Sequence, residues 1–136
     1  MNKQQALKDF WNRFGVLAFE ENSVPDDDVI NALIKSGLAD SKYPYITYQV
    51  VTDDISGSGA AMATASIWDK SNSWERSDLL SNQISRYIQR MNTISLDNGR
   101  MYIIKNSPFS QHMREEGDST IRRIVLNIGV QFFTEY

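Results

Sequence analysis

The one histidine, His112, stands just ahead of Glu115, Glu116 and Asp118. An imidazole beside carboxylates could move protons near neutral pH or help to hold a metal ion. Nucleophilic catalysis needs a nucleophile and an orienting group as well. The zinc-hydrolase pattern needs two histidines at helical spacing, which a chain with one histidine lacks. His112 is therefore read as a loop residue bonded locally or to solvent, and no catalytic, cofactor-binding or metal-ligating residue is assigned. The run Asp26-Asp27-Asp28 could attract a divalent cation, but no glycine-bearing loop with spaced ligands follows it. Carboxylates there suit the positive end of a helix dipole better. Ser56-Gly57-Ser58-Gly59 lacks the Gly-Lys-Ser/Thr ending of a phosphate loop and runs into a strand, so it reads as a hairpin tip.

Two further groups could recognise a partner. Arg86 and Arg90 form a helical row, and Arg114, Arg122 and Arg123 cluster near the end of the chain. A nucleic-acid site would join such residues to exposed aromatics on a positive surface. The second cluster alternates with Glu115, Glu116 and Asp118, which favours a solvated or salt-bridged surface. Trp68 and Trp74 bracket the polar turn Asp69–Ser73, where they either cap a core or meet a partner, as large aromatics do at interface centres.

The positioning elements follow from periodicity. Leu7, Phe10, Trp11, Phe14 and Leu17 share one helical stripe, with Gly15 weakening the last turn. A second, short helix carries Val29, Ile30, Leu33 and Ile34 and closes at Gly37. Tyr45–Thr52 is aromatic and β-branched, hence a strand, and Asp53–Gly59 is a flexible connection to its hairpin partner. In that partner, Ala61–Asp69, Ala61, Ala63, Ala65 and Ile67 alternate with Met62, Thr64, Ser66 and Trp68. Its small alanines suit the close approach of a helix.

Ser73 is the expected N-cap of a third helix opened by Trp74 and Glu75, with Leu80, Ile84, Tyr87, Ile88 and Met91 on its apolar face. Thr93–Leu96 and Met101–Lys105 flank the hairpin signal Asp97-Asn98-Gly99. Asn106–Ser119 reads as irregular and polar. A last strand buries Ile124, Leu126, Ile128, Val130 and Phe132. The predicted order is α-α-ββ-α-ββ-β. The fold class is α+β, one domain spanning residues 1–136, with a mainly antiparallel sheet packed against helices.

Composition sets the outer limits. The chain has 136 residues, 41% hydrophobic and 11% aromatic, enough for one real core. No apolar run approaches a membrane span, and the start lacks the apolar block of a secretory signal. Cysteine is absent, which excludes disulfides and thiolate metal sites and fits a reducing cytoplasm. A net charge of −3 argues against general nucleic-acid binding.

An ordered set of short stretches carries a resemblance. It comprises Glu20–Pro25, Tyr43–Tyr48, Ala65–Trp74, Ser107–Gln111, Asp118–Arg123 and Leu126–Ile128, and its order and spacing span nearly the whole chain. Together they resemble the small tail terminator (tail completion, or head–tail joining) proteins of long-tailed bacteriophages and prophages. Asp26–Lys42 is longer than the connection usual in that family.

The resemblance implies a non-enzymatic virion subunit, made in the bacterial cytoplasm and located at the head-proximal end of the tail. Copies of it would form a ring, expected to be a hexamer, on the last ring of the tail tube protein. Such a ring ends tube growth and presents a surface to the head connector, with DNA passing through its lumen unread. Acidic Asp53-Asp54 and Glu115-Glu116 would suit a lumen that does not grip phosphates. Head-to-tail contacts close into rings, and strand edges or loops can supply them. The segments Thr52–Ala60 and Asn106–Gly117 are therefore the first candidates. The assembly-interface residues are Asp53, Asp54, Ile55, Ser58, Trp68, Trp74, Phe109, Gln111 and His112. Two other readings stay open: another neck or head-completion adaptor, and a small ligand-binding or enzymatic domain using His112.

Overall fold

The computed structural model describes residues 1–50, 61–91, 93–114, 117 and 119–134. In chain order they form α1 (Lys3–Trp11), β1 (Leu17–Glu20), α2 (Asp27–Lys35), β2 (Tyr45–Tyr48), β3 (Ala61–Lys70), α3 (Glu75–Arg90), β4 (Ile94–Leu96), β5 (Gly99–Arg114) and β6 (Ile121–Thr134). The strands make one six-stranded sheet in the order β1-β2-β3-β6-β5-β4. β1 runs parallel to β2, and the other pairings are antiparallel. The fold is α+β with a mainly antiparallel sheet, as periodicity predicts.

Local chemistry sets the helix ends. The Asn2 side chain accepts from Gln5 N–H at 2.8 Å, and the Gln5 side chain accepts from Asn2 N–H at 3.0 Å, a closed capping box at the start of α1. Asp26 caps α2 by accepting from Val29 N–H at 3.1 Å. At the other end of α2, Gly37 takes a φ of 88°. Its N–H bonds Ile34 C=O and that of Leu38 bonds Leu33 C=O, the paired arrangement that a left-handed glycine permits. At α3 the cap position falls to Trp74, which supplies no side-chain cap bond. The expected Ser73 still contributes, its Oγ accepting from Glu75 N–H at 3.1 Å.

Three predicted features are corrected. The first helix stops at Trp11, with Asn12 as its C-cap, so Phe14 and Leu17 lie beyond it. Gly15 adopts a φ of 77°, which breaks the helical path. Leu17 then opens β1, a strand missing from the predicted order, so its helical spacing from Phe14 is coincidental. Asn106–Arg114 is likewise not irregular but the second half of β5. Its composition misleads because of Pro108, which cannot donate to a ladder. The pairing with β6 absorbs the proline in a register shift between Lys105 and Ser110. There Asn127 Nδ2 donates to Pro108 C=O at 2.9 Å, so a side chain satisfies this carbonyl within the register shift. The hairpin partners Tyr45–Tyr48 and Ala61–Lys70 pair as expected, whereas Thr52–Ala60, with Asp53, Asp54, Ile55 and Ser58, lies outside the described residues.

The core fills one side of the sheet. Leu7, Phe10 and Trp11 of α1 and Leu80, Ile84 and Ile88 of α3 bury against Ile46, Ala63, Ala65, Ile67, Met101, Ile103, Ile124, Leu126, Ile128 and Val130. Full burial of one such large side chain is worth about 1.5–3 kcal/mol. Leu17 and Ile30 are buried apart from this cluster.

Candidate assembly surfaces

Residues in register share a face of the sheet, and strict alternation sends every second side chain away from α1 and α3. On that far face Trp68 stacks on Tyr45 at 6.4 Å and 16° and donates its indole N–H to Thr47 Oγ1 at 2.9 Å. The Arg123 guanidinium lies 4.7 Å over the Trp68 ring, and its Nε donates to Ser66 Oγ at 3.2 Å. Trp68 is thus half-buried and held on several sides. Further along the face the side chains are not covered. Met62 is 80% exposed and Phe133 53%, and Tyr102 and Ile104 are also exposed. Met62 pairs with Gly129, which in turn pairs with Ile104. Two apolar side chains therefore flank a position with none, leaving a notch between them. Tyr102 packs edge-on against Phe133 at 6.4 Å.

Trp74 sits on the opposite face. Its ring lies flat on His112, with centroids 3.8 Å apart and planes 4° apart, and Arg122 lies 5.3 Å over the Trp74 ring. His112 Nε2 is 2.7 Å from Asp78 Oδ1. Arg122 donates to Ser71 C=O at 3.1 Å and to Asn72 C=O at 3.2 Å. The stack and the hydrogen bond both join β5 to the start of α3, so His112 ties strand to helix. The two tryptophans, close in sequence, end on opposite sides of the sheet because one belongs to a strand and the other follows the turn. Phe109 is half-buried and packs against the main core, whereas Gln111 is exposed and accepts from Asn127 Nδ2 at 3.3 Å. Among the described residues no group of three or more His, Asp or Glu side chains could hold a metal ion, and no helix is long and apolar enough to cross a membrane.

The edge of β5 is the third feature. β4 pairs with Gly99–Met101 alone, so from Tyr102 to Arg114 no described strand flanks the outer edge of β5. Within the candidate segment Asn106–Gly117, Asn106–Arg114 is thus a strand edge rather than a loop, and Glu115 and Glu116 lie outside the described residues. Such edges are templates for pairing with another chain.

Electrostatics near β2 tie α2 to the sheet. Lys42 donates to Asp27 Oδ1 at 3.2 Å and lies over the rings of Tyr43 and Tyr45. Burial works to lower the Lys42 pKa, but the bond to Asp27 and the neighbouring Tyr43, Asp27 and Tyr45 charges outweigh it and raise it. Burial pushes the Tyr45 phenol up, aided by Tyr43 and partly offset by Lys42. Burial also raises Tyr48, with Glu20 adding to the effect.

Sequence reasoning missed Met62, Tyr102, Ile104 and Phe133 as surface features. The signal was there for Met62, which falls on the non-core side of the Ala61–Asp69 alternation. For Tyr102, Ile104 and Phe133 only the register of β5 and β6 reveals the shared face. No protein-family model matches the chain, and no curated protein matches it.

Proposed function

We propose that this chain is a structural subunit that works by assembling with copies of itself, as a tail terminator of a long-tailed phage does. In this reading a ring of subunits caps the tail tube, ends its elongation and presents a surface to the head connector. The observation that carries the reading is the sheet face turned away from α1 and α3, where Met62 and Ile104 stand exposed around Gly129 beside Tyr102 and Phe133. Contiguous exposed apolar groups of this kind mark interaction sites. The unflanked β5 edge supplies backbone donors and acceptors next to them. A phage tail is the setting that the resemblance adds.

The test is sedimentation velocity and negative-stain imaging of the purified protein, alone and mixed with tail tubes. The expected result is ring-shaped oligomers, or decoration of one tube end. Met62→Glu combined with Ile104→Glu should abolish both while leaving the thermal melt in place. A wild-type protein that stays monomeric and ignores tail tubes would overturn the proposal. Particles lacking the protein should carry overlong or unjoined tails; leaking heads would point instead to a head-completion adaptor.

A further inference from the structure

A second surface lies on the helical side of the sheet. A groove of about 730 Å³ runs along α3 beside the end of α1, lined by Arg13, Phe14, Leu79, Arg86, Tyr87 and Arg90, among others. Its floor is apolar, with Phe14 and Tyr87 packed edge to face at 5.5 Å and 90°. Leu79, Arg86 and Arg90 recur at helical spacing along the stripe of α3 that looks away from the core, and Leu79 is 63% exposed. Arg13 is fixed in place: it pairs with Asp9 at 2.8 Å, contacts the Tyr87 hydroxyl, and holds its guanidinium 5.0 Å over the Tyr87 ring. Arg86 and Arg90 are exposed, and among the described residues neither pairs with a carboxylate. An apolar floor rimmed by cations suits an acidic segment that also carries apolar side chains.

The chain itself contains such a segment. Glu20, Glu21, Asp26, Asp27 and Asp28 fall in one stretch with no Lys or Arg among them. Val24 and Val29, in and just after it, are exposed. Glu20, Asp26 and Asp27 are engaged within the chain, by Asn22 and Ser23, by Val29 N–H and by Lys42 respectively. Glu21 and Asp28 are exposed at its surface. Groove and stretch belong to different elements, so a contact between them on two copies is head-to-tail, the type that closes into a ring.

We propose that the α1–α3 groove receives the acidic Glu20–Val29 stretch of a second copy of this chain. The inference rests on the self-assembly proposed above and assigns its polar contact. Charge complementarity selects the partner: a chain of net charge −3 concentrates cations in the groove and carboxylates in the stretch.

The test is a charge swap followed by sedimentation velocity, with circular dichroism and thermal melts to establish folding. Arg86→Glu with Arg90→Glu, and separately Glu21→Lys with Asp28→Lys, should each weaken self-association at least tenfold. Mixing the two variants should restore it, because opposite charges then meet at every contact of an alternating ring. Added salt should weaken the wild-type association. If either reversed variant unfolds, Arg86→Gln with Arg90→Gln replaces it in the same assay. Reversed variants that assemble like a self-associating wild type would overturn this inference and leave the broader proposal standing, as would loss of tube binding with self-association intact. A wild type that never self-associates would overturn both.

Discussion

Arg76 of α3 grips the fully buried carboxylate of Asp69 on β3 through both sides of its guanidinium, Nε donating to Oδ2 at 3.1 Å and Nη2 to Oδ1. Asp69 Oδ1 also accepts from Lys70 N–H at 2.9 Å. The Arg76 side chain itself is 53% exposed, so water reaches one partner only. The bond to Asp69 raises the Arg76 pKa. Removing the cation strands a buried charge, and Arg76→Met should cost about 3 kcal/mol, the lower end for a broken buried pair. Asp69→Asn keeps the volume and lets Arg76 turn to water, so it should cost less. Urea unfolding of both variants checks the order; a loss below about 1 kcal/mol for Arg76→Met would mean that the carboxylate is satisfied without it.

Stability should fall in alkali from about pH 10. The Tyr48 and Tyr45 phenols start from an ordinary 10.0 and are raised in the folded state, mainly by burial. Their contribution is complete below the unfolded value and is lost as pH climbs through the folded one. Lys42 starts from 10.5 and is also raised, so its pairing with Asp27 weakens over the same window. Thermal melts from pH 8 to 11 should show a flat region and then a decline, and Tyr48→Phe should delay the decline. An unchanged decline in that variant would exclude Tyr48 as its source.

Asp26→Ala should cost about 1 kcal/mol, the value of one N-cap bond. Asp28→Ala leaves the cap intact and removes only an interaction with the helix dipole, so it should cost less, about 0.3–1 kcal/mol. Chemical unfolding of the two variants side by side separates capping from general acidity. Equal losses would show that the Asp26 side chain does not cap in solution.

His112 and Asp78 form a half-exposed pair, so their coupling in a double-mutant cycle should stay within about 1 kcal/mol. The Trp74 stack should make His112→Ala more costly than His112→Phe, which keeps a flat ring. The same alanine variant should still assemble; lost assembly would instead make His112 a contact residue.

Much of this fold is legible in the sequence because the core strands alternate cleanly. Ile124, Leu126, Ile128 and Val130 announce β6, and the Ala63, Ala65 and Ile67 face announces β3. What escapes is whatever depends on pairing. Leu17 fits a helical stripe by spacing, yet a glycine turn and the parallel partner Tyr45 make it a strand residue. Ser107–Arg114 has polar residues and a proline, and only β6 alongside explains its extended form. The surfaces divide in the same way. Arg86 and Arg90 are a visible row on one helix, but Arg13 joins them only when α1 packs nearby. Met62 and Ile104 lie far apart in the chain, and sheet register alone brings them to either side of Gly129.

The position of β6 has a consequence for biosynthesis. It lies between β3 and β5 although it is the last of the described strands in chain order. A ribosome therefore releases β3, α3 and β5 before the strand that joins them exists. Until Ile121–Thr134 emerges, both neighbours keep an inner edge unpaired and the apolar undersides of α1 and α3 lack their central floor. Local pairing favours a β5–β6 hairpin first, followed by its docking along β3 across the α3 crossover. The unfinished chain is at its most association-prone in that interval, when strand edges meant for its own sheet are open to another copy.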